Sequence, residues 1–152
     1  MLTRRIQVDV DLVPGRGYGT HAQFSDYNHD IVLDMLFEIG TGRVLEAKAQ
    51  LLKHPFTECA QAIKAIDSLV GFRAVNFGSR KEIFQMVAGP GGCTHLAELV
   101  MESINARIQA GDQLVPDWID PELVALRRRQ WENAWAGSCI HYTEPYWQPH
   151  QE

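Results

Sequence analysis

The apolar residues of this chain change their period once, and that change constrains the fold more than any other feature. Ile6, Val8, Val10 and Leu12 alternate with Arg5, Gln7, Asp9 and Asp11, the two-residue period of a half-buried strand. Pro14-Gly15-Arg16-Gly17 reads as a turn, and Tyr18 to Phe24 as the returning strand. Ile31, Leu33, Met35, Phe37 and Ile39 then alternate with Asp30, Asp34 and Glu38. Gly40-Thr41-Gly42 turns the chain again, and Val44 to Leu52 pairs back. After His54-Pro55-Phe56 the spacing becomes helical: Cys59, Ile63, Ile66 and Val70 form a stripe, Thr57 is a candidate N-cap and Gly71 a stop. The stretch Phe72 to Phe77 is too short to assign. Ser79 to Val87 reads as another helix. A longer one starts near Cys93 and runs to about Ala110, ending at Gly111-Asp112. Asp120-Pro121-Glu122 opens a last helix through Trp135, with proline at its first position. Strands first and helices afterwards define an α+β domain. The expected architecture is an N-terminal antiparallel sheet of about four strands, followed by about four helices packed on one face. One domain is expected over residues 1–152: strands over 1–53, helices over 54–136, and an aromatic and proline-rich tail over 137–152.

A chain of 152 residues can bury a core without disulfide staples. Three cysteines without framework spacing point to reduced thiols and a cytoplasmic location. The net charge of -5 argues against nucleic acid as partner, because phosphate contacts need a basic face. Arg127-Arg128-Arg129 is the basic run, and a solvated helix face accounts for it. No stretch reads as a signal peptide or a membrane span, so no membrane partner is expected.

The chemistry concentrates in Gly89-Pro90-Gly91-Gly92-Cys93-Thr94-His95-Leu96. A glycine-rich loop stiffened by Pro90 delivers Cys93 and His95 to a helix start, where unpaired N–H groups favour a thiolate or an anion. Three readings of Cys93 stand side by side. It is a nucleophile with a histidine as base, a zinc ligand with His95 and Cys59, or a buried small residue on the side of Leu96, Val100 and Ile104. Two side chains two positions apart on a helix diverge. Cys93 and His95 therefore converge only if Cys93 precedes the helix.

Cys59 lies in the first turn of the helix after Pro55, so the two cysteines share a pocket or are separately packed. His29-Asp30 opens a strand. His29 is a candidate general acid or base, but Asp30 points to the opposite face and is not expected to orient it. His21, His54, His141 and His150 carry no motif. Arg4 and Arg5 alternate across the first strand, and an inward arginine holds either a carboxylate or phenolate ligand or a neighbouring acid. Arg5 is a substrate-binding candidate, as are Trp131 and Trp135. Trp131 and Trp135 lie one helical turn apart and suit a core, a dimer interface or an aromatic-ligand pocket.

Arg4-Arg5, His29-Asp30, Pro55 with Cys59, Leu69 with Gly71, and Gly92-Cys93-Thr94-His95-Leu96 occur in an order that resembles a bacterial family of unknown function recognisable by its Gly-Cys-Thr-His-Leu motif. The resemblance covers roughly residues 4–109. It implies pairing of the cysteine–histidine motif with the earlier histidine and cysteine, and an association with catabolism of aromatic, lignin-derived compounds. The function expected is that of a small enzyme, a lyase acting on an aromatic small molecule by proton transfer among His29, Cys59, Cys93 and His95. Its narrowest form is formaldehyde-releasing C–C cleavage of a lignin-derived dimer. No organic cofactor is expected, and zinc is the one metal considered. The alternatives are a non-catalytic binding module and a structural zinc site. A homodimer is the expected assembly.

Overall fold

The computed structural model describes residues 1–74 and 79–150, apart from the side chains of Asp112, Trp131 and Ala134. These residues fall into two compact units, 1–114 and 115–152.

The first unit opens with β1 (Arg5–Val13), β2 (Gly17–Ser25), β3 (Asp30–Glu38) and β4 (Val44–Lys53). They form an antiparallel meander in the order β1-β2-β3-β4. Register carries the alternation seen in sequence across the sheet. Ile6, Phe24, Ile31 and Leu51 form one row, and Val8, Ala22, Leu33 and Ala49 the next. The intervening rows are polar: Asp9, His21, Asp34 and Lys48 lie side by side. Because the side-chain period is two, one face is mainly apolar, with Thr20 its buried exception, and the other is mainly polar.

A 3-10 helix (Thr57–Leu69) follows, then α1 (Arg80–Val87) and α2 (Thr94–Gln113). The long α2 packs on β2, β1 and β3, while α1 packs on α2 and the 3-10 helix. Leu96, Leu99, Val100, Ile104 and Ile108 of α2 are buried, as are Phe24, Ile31, Leu33 and Phe37 of the sheet. Burial of this apolar surface is the main stabilising term, worth about 25 cal/mol per Å². The α+β arrangement of four strands followed by four helices agrees with the sequence reading.

Three local expectations change. The segment after Pro55 is 3-10, with Ala62, Ile66 and Leu69 buried, while Val70 is exposed and forms the C-cap. Thr57 is its first residue, and Phe56 precedes it as cap. Gly111 lies inside α2 instead of ending it. A Cβ there would sit 3.9 Å from the Tyr18 hydroxyl, which donates to the Leu114 carbonyl at 2.8 Å, so the helix runs on against β2. Of the unassigned stretch, Phe72 to Ala74 pair with the β3–β4 turn (Val44 N to Phe72 O 2.9 Å, Ala74 N to Gly42 O 3.0 Å); Val75 to Phe77 lie outside the described residues.

The second unit contains α3 (Pro121–Ala134). Asp120 caps it, accepting from the backbone N–H of Glu122 at 2.9 Å. The tail doubles back onto the end of this helix. Asn133 exchanges two hydrogen bonds with the His150 backbone, at 2.9 and 2.7 Å, and Tyr142 stacks on Trp135 with ring centroids 6.0 Å apart. Among the described residues, no helix is long and apolar enough to cross a membrane.

Candidate functional site

The β2–β3 hairpin closes through Asp26-Tyr27-Asn28-His29. The Asp26 N–H donates to the His29 carbonyl at 2.9 Å. Its carboxylate accepts from the N–H groups of Asn28 (2.8 Å) and His29 (2.7 Å). This is the local bonding that makes aspartate a turn former. The same carboxylate lies 3.0 Å from His29 Nδ1. A carboxylate only accepts, so Nδ1 is the nitrogen of His29 that donates here, and in the neutral ring Nε2 has the lone pair. Desolvation raises the Asp26 carboxyl, but the bonds from Asn28 and His29 outweigh it and hold the group below its ordinary value of 3.8.

The second histidine arrives from the glycine loop. Gly89 has a φ of 82°, a left-handed conformation that favours glycine. At Gly92 a Cβ would fall 1.9 Å from the Val87 carbonyl oxygen, so only glycine lets the loop pass the end of α1. The Cys93 N–H then donates to that carbonyl at 2.9 Å. Cys93 is extended (φ −138°) and is the N-cap, which makes Thr94 the first residue of α2 and His95 the second.

From there the His95 ring packs 4.8 Å from the ring centroid of Phe24 and 4.3 Å from that of His29. Asp26, His29 and His95 thus form a cluster in which one ligand-capable atom from each lies within 4.8 Å of the others. All three are half-buried, with 15% of the His29 side chain and 18% of the Asp26 side chain exposed. Burial lowers the pKa of His95 below 6.5, and His29 pushes the same way; Glu98 and Asp26 oppose, and Arg4 adds to the lowering. The positive end of α2 acts in the same sense as burial. His95 is therefore neutral at pH 7 and has a lone pair for a proton, or for a metal. On the Asp26 side lies an open groove of about 400 Å³ lined by Met1, Leu2, Thr3, Arg5, Ser25, Asp26 and Tyr27.

His29 and His95, on separate segments of the sequence, meet here. Arg5, exposed, borders the groove beside Asp26. Arg4 is the inward arginine: its guanidinium lies 4.9 Å from the Phe24 ring centroid and pairs with Glu98 of α2. Cys93 and Cys59 are half-buried and, like Cys139, free of disulfides. Neither belongs to the Asp26–His29–His95 group. Trp135 lies just past α3, in the second unit with Tyr142; the Trp131 side chain lies outside the described residues. Sequence reasoning missed Asp26 and Phe24. The signal for Asp26 was present as an aspartate opening a four-residue turn that ends on histidine. Phe24 read only as core.

Residues 5–109 match the model of a family described as protein of unknown function, DUF2889. The chain belongs to the DUF2889 family. The match spans every element from β1 into α2, so it contains the hairpin and the loop that supply Asp26, His29, Cys93 and His95. No curated protein and no solved structure matches the chain.

Proposed function

We propose that this chain is an enzyme that moves protons on an aromatic small molecule, and specifically a lyase. One observation carries the reading: His29, held by Asp26, faces a neutral His95 at a centroid separation of 4.3 Å beside an open groove. Two histidines in different surroundings, one bonded to Asp26 and one packed on Phe24, can divide the work of base and acid. In the narrowest form, formaldehyde-releasing cleavage of a lignin-derived dimer, one histidine takes the proton of a primary alcohol. The C–O bond becomes a carbonyl as the neighbouring C–C bond breaks. The electron pair passes to the carbon next to the aromatic ring, and the other histidine returns a proton to it. Atoms and charge balance without a redox cofactor. Arg5 is suited to a phenolate or carboxylate on the same substrate. Cys93 and Cys59 act, in this reading, as electrostatic neighbours of the pocket, and zinc as an assisting metal.

The three free thiols fit the reducing cytoplasm. A second copy of the chain, joined through the edge strand β1, is the partner we propose.

The test is turnover of aromatic alcohols of this class, with formaldehyde as the readout. His95→Ala and His29→Ala should each lower kcat by roughly a hundredfold to ten-thousandfold, the usual worth of a positioned acid or base. Full turnover in both variants would sink the assignment. Loss of affinity in both with no turnover in the unaltered chain would favour the binding-module reading.

A further inference from the structure

We propose that Asp26, His29 and His95 form a three-ligand site for a divalent transition metal of the zinc type, open on the groove side. This holds whether or not the cluster is catalytic. Two imidazoles and one carboxylate are a donor set that suits zinc and its first-row neighbours, and three protein ligands leave positions for water or a bound molecule.

The geometry is close to what such an ion needs. Ligand atoms about 2.0–2.2 Å from a tetrahedral zinc lie about 3.4 Å from one another. The Asp26–His29 pair is at 3.0 Å through His29 Nδ1, whose proton a bound ion displaces to Nε2, and the widest separation within the group is no more than 4.8 Å. Closing that gap asks for rotation of these half-buried side chains. The supports are built in. Asp26 is fixed by two backbone N–H groups, and His95 is braced against the buried Phe24 ring. The glycine loop holds the start of α2 where His95 faces the hairpin. Held ligands of this kind lose little freedom on binding. The groove bordered by Arg5, Ser25 and Tyr27 meets the cluster at Asp26, the side from which an ion would enter. It also gives an anionic oxygen a way to the open coordination positions.

The set differs from the one that the Cys93-Thr94-His95 motif invites, and the difference can be read spectroscopically. Full-length protein, stripped with a chelator and dialysed, is titrated with Zn²⁺ by calorimetry and with Co²⁺ by visible absorption. The expected result is one equivalent of either ion, with no thiolate-to-cobalt charge-transfer band. Loss of an outer-shell partner alone weakens a metal site about 10–100-fold, so Asp26→Asn, His29→Gln and His95→Gln should each lose more than that. Cys93→Ser should bind as the unaltered chain does. Asp26→Asn retains an oxygen for the turn, so it tests ligation apart from folding, and circular dichroism checks each variant. No binding, binding with a thiolate band, or binding that survives all three substitutions in folded protein would overturn the site. Formaldehyde release from the chelator-stripped protein is scored separately, so the metal site and the proton-transfer reading stand or fall independently.

Discussion

His95 is the residue on which sequence, structure and chemistry converge, and its environment makes a prediction about pH. Its pKa is lowered below 6.5 in the folded chain, by burial first and then by His29. The unfolded chain therefore takes up this proton at a higher pH than the native one does. The stability it contributes is present above the unfolded value and is lost as pH falls through about 6.5 toward the lower native value. Asp26, also lowered, adds an acid-side loss that begins near 3.8. Thermal melts of the metal-free protein should show Tm falling from pH 7.5 to 5.5, and His95→Gln should flatten that slope. An unchanged slope would mean that another group sets it. How far the site could be read from the sequence also shows at this scale. His29 and His95 are legible because their neighbours are unusual: a strand opening and a glycine loop. Asp30 does not hold His29: it accepts from Gln23 at 2.7 Å. The carboxylate on His29 instead belongs to Asp26, three residues back. Periodicity says nothing about that pair, because a turn has no period; only turn chemistry reveals it.

Among the elements, strands were the more legible, because an antiparallel meander with one wet face writes a period of two directly into the sequence. Helix ends were less so. Gly111 has the composition of a stop, yet it packs near Tyr18 and α2 runs on past it to Gln113. Tertiary contact overrides local preference there. The 3-10 segment hides for a different reason: its buried Ala62, Ile66 and Leu69 are spaced as an α-helix would space them. The glycine loop shows what an element boundary does for function. Gly92 is fixed by the Val87 carbonyl, 1.9 Å from where a Cβ would stand. Gly92→Ala must push the loop off α1 and move the cap Cys93, and with it His95. The cost expected is about 1–3 kcal/mol, the range for overpacking, with a loss of turnover larger than the stability loss explains. Gly91→Ala, where a Cβ meets nothing within 4 Å, is the control and should leave both near the unaltered values. Equal effects in the two variants would remove the loop from the account of the site.

At the scale of the whole chain, the family match and the compact first unit nearly coincide: residues 5–109 against 1–114. The buried aliphatic and aromatic residues among those described run from Tyr18 to Ile108, so the first unit holds its own core. It also holds all three residues of the cluster. A chain ending at Leu114, which keeps the carbonyl that Tyr18 bonds, should therefore melt cooperatively and keep both histidines in place. The same truncation separates two routes to a dimer. In one, β1 pairs with β1 of a second copy about Val8. That register sets Ile6 against Val10 and Arg5 against Asp11, an apolar pair and a charge pair repeated by the two-fold axis. Arg5 borders the groove, so Asp11 of the second copy would stand at its rim. In the other route, the tryptophan-rich second unit carries the interface. Sedimentation of the full and truncated chains distinguishes them. We expect dimers of both, because β1 is an edge strand with unpaired backbone groups on one side. A full-length dimer whose truncated form is a folded monomer would move the interface to the second unit and leave the groove open at β1.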